Sequence, residues 1–181
     1  MGADKRRLEL NGRSLLDIAL DKVHSVCGEV VIAGRLPEDL RPSGVRCVDD
    51  CPALRGPAAG IAAGLEAVSG ERALVLACDM PFVTEALLRH LLARAAEGWL
   101  VVAPRLAGRW EPLCAVYSAE CGPLLQRECA GERAALKGFL EDHRDEVLAL
   151  GEADLAQFGE PSRLFANLNT PRDLERAAGI V

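Results

Sequence analysis

Residues 73–78 read ALVLAC, and Asp79-Met80-Pro81 follow at once. Every position of the six-residue segment is apolar or small, so neither face of it is polar. A strand with both faces apolar is typical of the centre of a parallel sheet that is covered on both sides. Residues 73–78 therefore predict a central strand, with Asp79 at its carboxyl end.

Outward from this strand, short apolar segments alternate with segments of helical periodicity. The patterns predict strands over 29–34, 45–48, 99–104, 109–118 (interrupted by Pro112), 146–150 and 165–169, and helices over 14–26, 56–68, 84–98, 119–128, 132–142 and 170–179. Ser14 and Thr84 are expected to cap their helices, and Pro57 to occupy a first helical position.

This order of elements predicts the fold class. Alternating strands and helices indicate an α/β fold, with a doubly wound, Rossmann-like, mostly parallel sheet and helices on both faces. No repeat or linker interrupts residues 1–181, so a single domain is expected. Ligands of such folds lie beyond the carboxyl ends of the strands, where functional side chains are expected.

Charge, cysteine spacing and the length of the apolar runs argue against several classes of protein. A net charge of −6 and a pI near 5.2 argue against a general nucleic-acid binder, which carries a basic face. The seven cysteines form no C-x-x-C pair, which argues against zinc and favours reduced thiols in a cytosolic protein. No apolar run reaches the roughly 20 residues of a membrane helix, and the charged start is unlike a signal peptide. No membrane association and a cytoplasmic location are therefore expected.

Two strand ends carry acids. Asp79 follows the central strand, where one carboxylate can hold Mg²⁺ together with substrate phosphates and waters. It can equally be a turn or capping residue, since Asp-x-Pro is a good turn sequence. Asp49 and Asp50 follow residues 45–48, where they can accept hydrogen bonds from a base edge or remain solvated.

Three further candidates are polar or conformationally permissive. Gly56-Pro57 starts a helix without bulky side chains, which suits close approach of a ring or phosphate, or simply tight helix packing. Lys5 can contact phosphate as a mobile charge, or can be a solvated surface lysine. Asn167 and Asn169 alternate on the predicted strand 165–169 and so share a face, where they can bind a polar ligand or cap the next helix.

The order of these segments along one chain resembles a known family. The segments are MGADK, LELNGRSLLDIAL, GPAAG, CDMP, WEPLCAVY and NLNTPRDL, which run almost from end to end. They are similar to the molybdenum cofactor guanylyltransferases of the MobA type, within the nucleotidyltransferase superfamily. WEPLCAVY and NLNTPRDL are the most discriminating, and GPAAG carries Ala58 where the family has leucine.

The resemblance implies a reaction in which the terminal phosphate of molybdopterin attacks the α-phosphate of GTP. Pyrophosphate is released and a guanine dinucleotide cofactor is formed. The resemblance implies that the catalytic residues are Asp79, which binds Mg²⁺, and Lys5, which contacts the phosphates. It also implies that Asp49 accepts hydrogen bonds from the guanine edge and that the base lies against Gly56-Pro57. Asn167 and Asn169 face the pterin, and molybdoenzymes or their chaperones are the implied recipients.

The sequence departs from the family pattern in two places. The pattern has an apolar strand and a glycine-rich phosphate loop ahead of the methionine that is Met1 here, so the fold is expected to lack its first strand. Either Met1 is an internal methionine of a longer protein, which we favour, or the chain is a degenerate paralogue. Residues 1–181 alone are expected to bind GTP weakly or not at all. In addition, Ala33-Gly34-Arg35 stands where the family often has a nucleotide-contacting asparagine.

Other functions remain open on the sequence. A cytidylyltransferase acting on the same cofactor and a sugar-phosphate nucleotidyltransferase would share the fold. A non-catalytic module that retains the pterin side is the alternative outside the enzymes, and it predicts no pyrophosphate release.

Overall fold

The computed structural model describes residues 7–130, 136–170 and 173–174. A hairpin of β1 (Glu9–Leu10) and β2 (Arg13–Ser14) leads into helix α1 (Leu15–His24). The other elements are β3 (Val31–Ala33), β4 (Arg46–Val48), α2 (Pro57–Ala67), β5 (Arg72–Leu76), α3 (Glu85–Ala95), β6 (Val101–Leu106), β7 (Arg109–Trp110), β8 (Cys114–Ser118), α4 (Cys121–Glu128), α5 (Leu136–Asp142), β9 (Val147–Leu150), α6 (Glu152–Leu155) and α7 (Pro161–Leu164). Turns of 3₁₀ helix cover Glu38–Leu40 and Ala156–Phe158.

The predicted helix starts are confirmed. The Ser14 hydroxyl accepts a hydrogen bond from the Asp17 N–H at 3.0 Å, and the Thr84 hydroxyl accepts one from the Leu87 N–H at 3.3 Å. Pro57 is the first residue of α2. A helix start otherwise leaves backbone N–H groups unpaired. The two hydroxyls each pair one of them, and Pro57 has no N–H to leave unpaired.

The main sheet has the strand order β5-β8-β6, with β9 pairing the other edge of β6 and the short β7 folding back on the end of β6. Strands β5, β6 and β9 run in one direction, and β8 runs antiparallel between β5 and β6. Residues 107–113 join β6 to β8, and this connection is too short for the crossover that a parallel pair needs. The predicted α/β fold is confirmed, with β8 as its reversed strand.

Helices cover both faces of this sheet. Side chains of β6 alternate between two cores: Val101 and Ala103 pack with α2, α4 and α5, whereas Val102 packs with α3. The described helices are too short or too polar to cross a membrane. All seven cysteines are free thiols, three of them buried.

Two local predictions differ from the structure. Residues 165–169 form no strand: the Leu168 N–H donates to the Asp79 carbonyl at 2.9 Å, but no ladder to a neighbouring strand forms among the described residues. The β1–β2 hairpin was not predicted. Its turn is Asn11-Gly12 with φ of 52° and 75°, and Asn-Gly is a strong sequence signal for such a turn. The predicted helices 132–142 and 170–179 lie partly outside the described residues.

Strands β3 and β4 form a separate parallel pair. The N–H and hydroxyl of Ser69, ahead of β5, both donate to the Glu29 carboxylate, ahead of β3, at 3.0 and 2.8 Å. The starts of β3 and β5 are therefore at the same end of the molecule, and the two strands point the same way. Between them lies an open groove of about 1050 Å³, which we call the strand groove.

The strand groove changes the environment of β5. All five residues of β5 are only half-buried, whereas the first four residues of β6 and of β8 are buried. The sequence predicts a strand buried on both faces, yet among the described residues β5 pairs only with β8. Its far edge therefore faces the groove.

Because one edge of β5 faces the groove, we expect the rate of amide hydrogen exchange to alternate along this strand. The Ala77 N–H donates to the Leu113 carbonyl at 2.8 Å, so alternation along the antiparallel ladder directs Ala73 and Val75 to β8 and Leu74 and Leu76 to the groove. A hydrogen bond worth about 1 kcal/mol slows exchange roughly fivefold. Residue-resolved hydrogen exchange should show Leu74 and Leu76 exchanging faster than Val75 by about this factor or more. Equal rates along β5 would show that the groove edge is paired.

Candidate functional site

The carboxyl ends of three strands and the start of α2 meet at one mouth of the strand groove. Gly34 follows β3, Asp50 follows β4, Asp79 follows β5, and Gly56 precedes α2; all four line the groove. Parallel strands bring their carboxyl ends to the same edge, so residues far apart in sequence converge there. This mouth is the candidate site.

Asp79 is a buried acid at this mouth. Its residue surface is 7% exposed, and it is the one charged residue among the described positions that is classed with the buried core. Its carbonyl accepts the Leu168 N–H at 2.9 Å, which joins the end of β5 to the 165–169 segment. A buried carboxylate beside an open groove, on a backbone tied to a second segment, has the position that a ligand of a substrate-bound cation needs.

Lys22 of α1 braces the loop that follows Asp79. Its Nζ donates a hydrogen bond to the Pro81 carbonyl. Burial lowers the pKa of the Lys22 ammonium from its ordinary value. The bond links α1 to the end of β5, so the helix on one side of the groove helps to fix the loop that carries Asp79.

The two acids after β4 have different surroundings. Both are exposed, but Asp50 lines the groove and Asp49 does not. A methyl group in place of the Gly60 hydrogen would put its carbon 3.2 Å from Asp50 Oδ1, and one on Gly34 would be 3.8 Å from the same oxygen. Asp50 thus lies between two glycines. On the sequence both acids are candidate acceptors for a base edge, and only the family resemblance singles out Asp49, because the adjacent acids differ only in which one faces α2.

Gly56 starts α2 in a conformation that other residues rarely adopt. Its φ of 62° and ψ of −152° are easily reached by glycine, and, its chain neighbours aside, none of the described residues has an atom within 4 Å of where a β-carbon would be. Pro57 follows it, and both residues are exposed. The first turn of α2 therefore faces open space with its positive dipole end, which suits an anionic or planar ligand at close range.

Asn167 and Asn169 are both exposed, on either side of buried Leu168. The expected alternation is present, although the segment is not a strand. Asn169 N–H donates to the Asp173 carboxylate at 3.1 Å, which also accepts from Thr170 N–H at 2.8 Å. Through the Leu168–Asp79 bond the two amides flank the end of β5.

The structure does not test two of the predicted features, the role of Lys5 and the binding of Mg²⁺. Lys5 lies outside the described residues. No cluster of three or more His, Cys, Asp or Glu side chains suited to a metal is found within residues 7–130, 136–170 and 173–174. Mg²⁺ in nucleotide sites is often bound through one or two carboxylates plus phosphates and waters. Asp79, a buried carboxylate at the carboxyl end of β5, therefore fits a cation that arrives with a nucleotide.

The fold is that of a nucleotidyltransferase enzyme, with an acid at the carboxyl end of β5 and a glycine at the start of α2. The chain belongs to the family of MobA-like NTP transferase domains, whose family model matches residues 1–147. The resemblance seen in the sequence is thereby confirmed.

Individual relatives agree with the family. A protein of Natranaerobius thermophilus named probable molybdenum cofactor guanylyltransferase is 30% identical, over 98% of this chain and 88% of the relative. The molybdenum cofactor guanylyltransferase of Desulfosudis oleivorans is 32% identical, over 99% and 88%. The crystal structure of molybdopterin-guanine dinucleotide biosynthesis protein A from Archaeoglobus fulgidus superposes with a TM-score of 0.78 at 27% identity, covering 99% of this chain and 91% of that one.

Two glycines of α2 allow a matched test of the crowding around Asp50. Alanine in place of glycine inside a helix gains about 0.5–1 kcal/mol. Gly64→Ala should gain this amount, because its new carbon would be 3.7 Å from the Ala33 β-carbon, an ordinary contact. Gly60→Ala should gain less, because the Asp50 carboxylate must move. Urea unfolding of both variants measures the difference, and equal gains would show that Asp50 is not held against α2.

Proposed function

We propose that this enzyme transfers a guanylyl group from GTP to molybdopterin, or to the molybdenum cofactor itself, and forms the guanine dinucleotide cofactor. The names of the relatives that match nearly the whole chain support the substrate pair. The observation that carries the proposal is the convergence of Asp79, Asp50 and Gly56 at one mouth of the groove.

The reaction balances without a protein base. An oxygen of the molybdopterin phosphate forms a bond to the α-phosphorus of GTP, and the bond from that phosphorus to the bridging oxygen of the β-phosphate breaks. Pyrophosphate leaves with the electron pair of the broken bond. The attacking phosphate is already ionised near neutral pH, so no proton has to be removed. The protein's task is to position the groups and offset their charge.

Each residue of the site has a part in this proposal. Asp79 would hold Mg²⁺, which offsets phosphate charge when bound. Lys5 contacts the phosphates, as the family resemblance implies. Gly56 and Pro57 leave room for the guanine at the start of α2, because among the described residues no side chain lies within 4 Å of the position of a Gly56 β-carbon.

Two neighbouring acids, Asp49 and Asp50, are candidates for the residue that recognises guanine. The resemblance gives Asp49 to the guanine N1–H and exocyclic amine. Asp50 is a second candidate, because it lines the groove, as Gly56 does, and Asp49 does not. On the pterin side, Asn167 and Asn169 offer amide groups next to the end of β5. Molybdoenzymes or their chaperones receive the product, and the reaction takes place in the cytoplasm.

Asp79→Asn tests the metal site. The variant should lose nucleotide-dependent Mn²⁺ binding, followed by electron paramagnetic resonance. It should also lower pyrophosphate release about 100-fold or more, since metal stabilisation of the transition state is worth several kcal/mol. Asp145→Asn is the control, because the Asp145 side chain is 95% exposed. Unchanged Mn²⁺ binding in Asp79→Asn would contradict the assignment.

Nucleotide competition tests guanine recognition. GTP should displace a labelled GTP analogue better than ITP, CTP, ATP or UTP, and only the variant that removes the guanine acceptor should erase the preference for GTP over ITP. Hydrogen bonds to a charged group are worth about 1.5–3 kcal/mol, or roughly 10- to 150-fold in affinity. Asp49→Asn and Asp50→Asn therefore serve as controls for each other. A preference for CTP would instead favour cytidylyl transfer.

A further inference from the structure

The substrate that attacks in the proposed reaction carries a phosphate of its own. This phosphate has to approach the triphosphate of GTP on a protein whose net charge is −6. The proposed function uses Mg²⁺ at Asp79 and the Lys5 ammonium for the phosphates of GTP. Because groups of like charge repel each other at close range, a further cation is needed on the side where the acceptor lies.

Several cationic side chains lie around the carboxyl ends of the strands. Arg35, after β3, and Arg55, just ahead of α2, are on the side proposed for the nucleotide. Lys22 reaches the loop after β5, but its Nζ already donates to the Pro81 carbonyl. Arg163 of α7 is in the segment that leads to the two exposed asparagines. Among the described residues it is therefore the candidate cation for the acceptor side.

Contact with an aromatic ring holds Arg163 beside the end of β5. Its Cζ lies over the Phe82 ring, 5.5 Å from the ring centroid. Phe82 comes three residues after Asp79 and packs against the cluster that includes Leu168. The Leu168 N–H in turn donates to the Asp79 carbonyl at 2.9 Å. The guanidinium therefore lies next to the two segments that carry the buried acid and the asparagines.

The guanidinium of Arg163 keeps its hydrogen-bond donors. Contact with a ring uses none of its five N–H groups. Arg163 is exposed, and no acidic side chain of the described residues pairs with the guanidinium. Glu160, the nearest acid along the chain, caps α7 instead, and its carboxylate accepts the backbone N–H groups of Ser162 and Arg163 at 3.1 and 2.8 Å. A positioned cation with available donors is the kind of group that binds a phosphate.

We propose that Arg163, held over Phe82, binds the terminal phosphate of the acceptor molybdopterin and positions it for attack on the α-phosphorus of GTP. The planar fork of a guanidinium matches two phosphate oxygens at once, which a lysine ammonium does not. Arg163 is thus a substrate-binding residue, and Phe82 is a positioning residue that acts through it. This inference rests on the proposed function, because it takes the acceptor to be a phosphorylated pterin.

The test compares two fluorescent pterins that differ only in the phosphate. One has a side chain at C6 that ends in a phosphate monoester, and the other ends in a free hydroxyl. Fluorescence titrations give the Kd of each in the presence of Mg²⁺ and α,β-methylene-GTP, which cannot react at its α-phosphorus. The protein should bind the phosphorylated pterin about tenfold more tightly or better, since hydrogen bonds to charged groups are the strong ones. Arg163→Gln should remove most of this preference and leave the Kd of the hydroxyl pterin unchanged.

Three further variants separate phosphate recognition from a structural role. Arg163→Lys keeps the charge without the fork and should keep only part of the preference. Phe82→Leu removes the ring contact and should lower the preference about two- to fivefold. Arg144→Gln is the matched control, because it removes the same charge at a side chain that is 75% exposed and pairs with Asp145. It should leave the preference unchanged, and urea unfolding shows that each variant is folded.

The possible failures of this inference and of the proposed function are different. An undiminished preference in Arg163→Gln would show that the phosphate is bound elsewhere, and equal binding of the two pterins by the unaltered protein would show that it is not recognised. An equal loss in Arg144→Gln would show that only net charge matters. Each of these results overturns the inference and leaves guanylyl transfer to molybdopterin standing. If neither pterin binds, the acceptor itself is wrong, and the proposed function fails together with the inference.

Discussion

The ladder between β5 and β8 is the constraint on which the rest of the structure depends. Five residue pairs, from Arg72–Ser118 to Leu76–Cys114, fix the position of β5 and thereby that of Asp79 just beyond it. The same ladder decides which peptide groups of β5 are satisfied and which face the strand groove. Placement of the acid and exposure of the strand edge are consequences of one set of hydrogen bonds.

The second constraint is the close approach of α2 to β3. Gly64 lets the helix come within ordinary contact of the Ala33 β-carbon, and Gly60 leaves space for the Asp50 carboxylate. Because small residues occupy this face, the start of α2 reaches the mouth of the groove with little side-chain bulk around it. Packing between a helix and a strand pair thus creates the open surface beside Gly56.

Much of the fold is predictable from local patterns. The apolar runs 73–78 and 99–104, the Thr84 cap and the proline at the start of α2 each specify an element without help from distant residues. The reversed direction of β8 follows only from the short connection after β6. The irregular segment at 165–169 has the alternation of a strand, and its lack of a ladder partner is a tertiary fact that no local pattern contains.

Some residues of the candidate site can likewise be predicted from local sequence patterns, and others cannot. Asp79 and Gly56 are predictable, because a strand end and a helix start each mark a position. The position of Asp50 at the groove is not predictable, because only the register of β4 against α2 distinguishes it from Asp49. The half-burial of β5 is likewise invisible in ALVLAC, which has the composition of a fully covered strand. It depends on what lies along the other edge.

Nucleotide binding where the strand ends meet the start of α2 is best tested by titrating isotope-labelled protein with GTP and Mg²⁺ and following the amide chemical shifts. We expect the largest changes at Gly34, Asp50, Gly56 and Asp79, and we expect them to require the metal at Asp79. Changes centred elsewhere, for example near Arg105 of β6 and Glu141 of α5, would show that the nucleotide binds at another place.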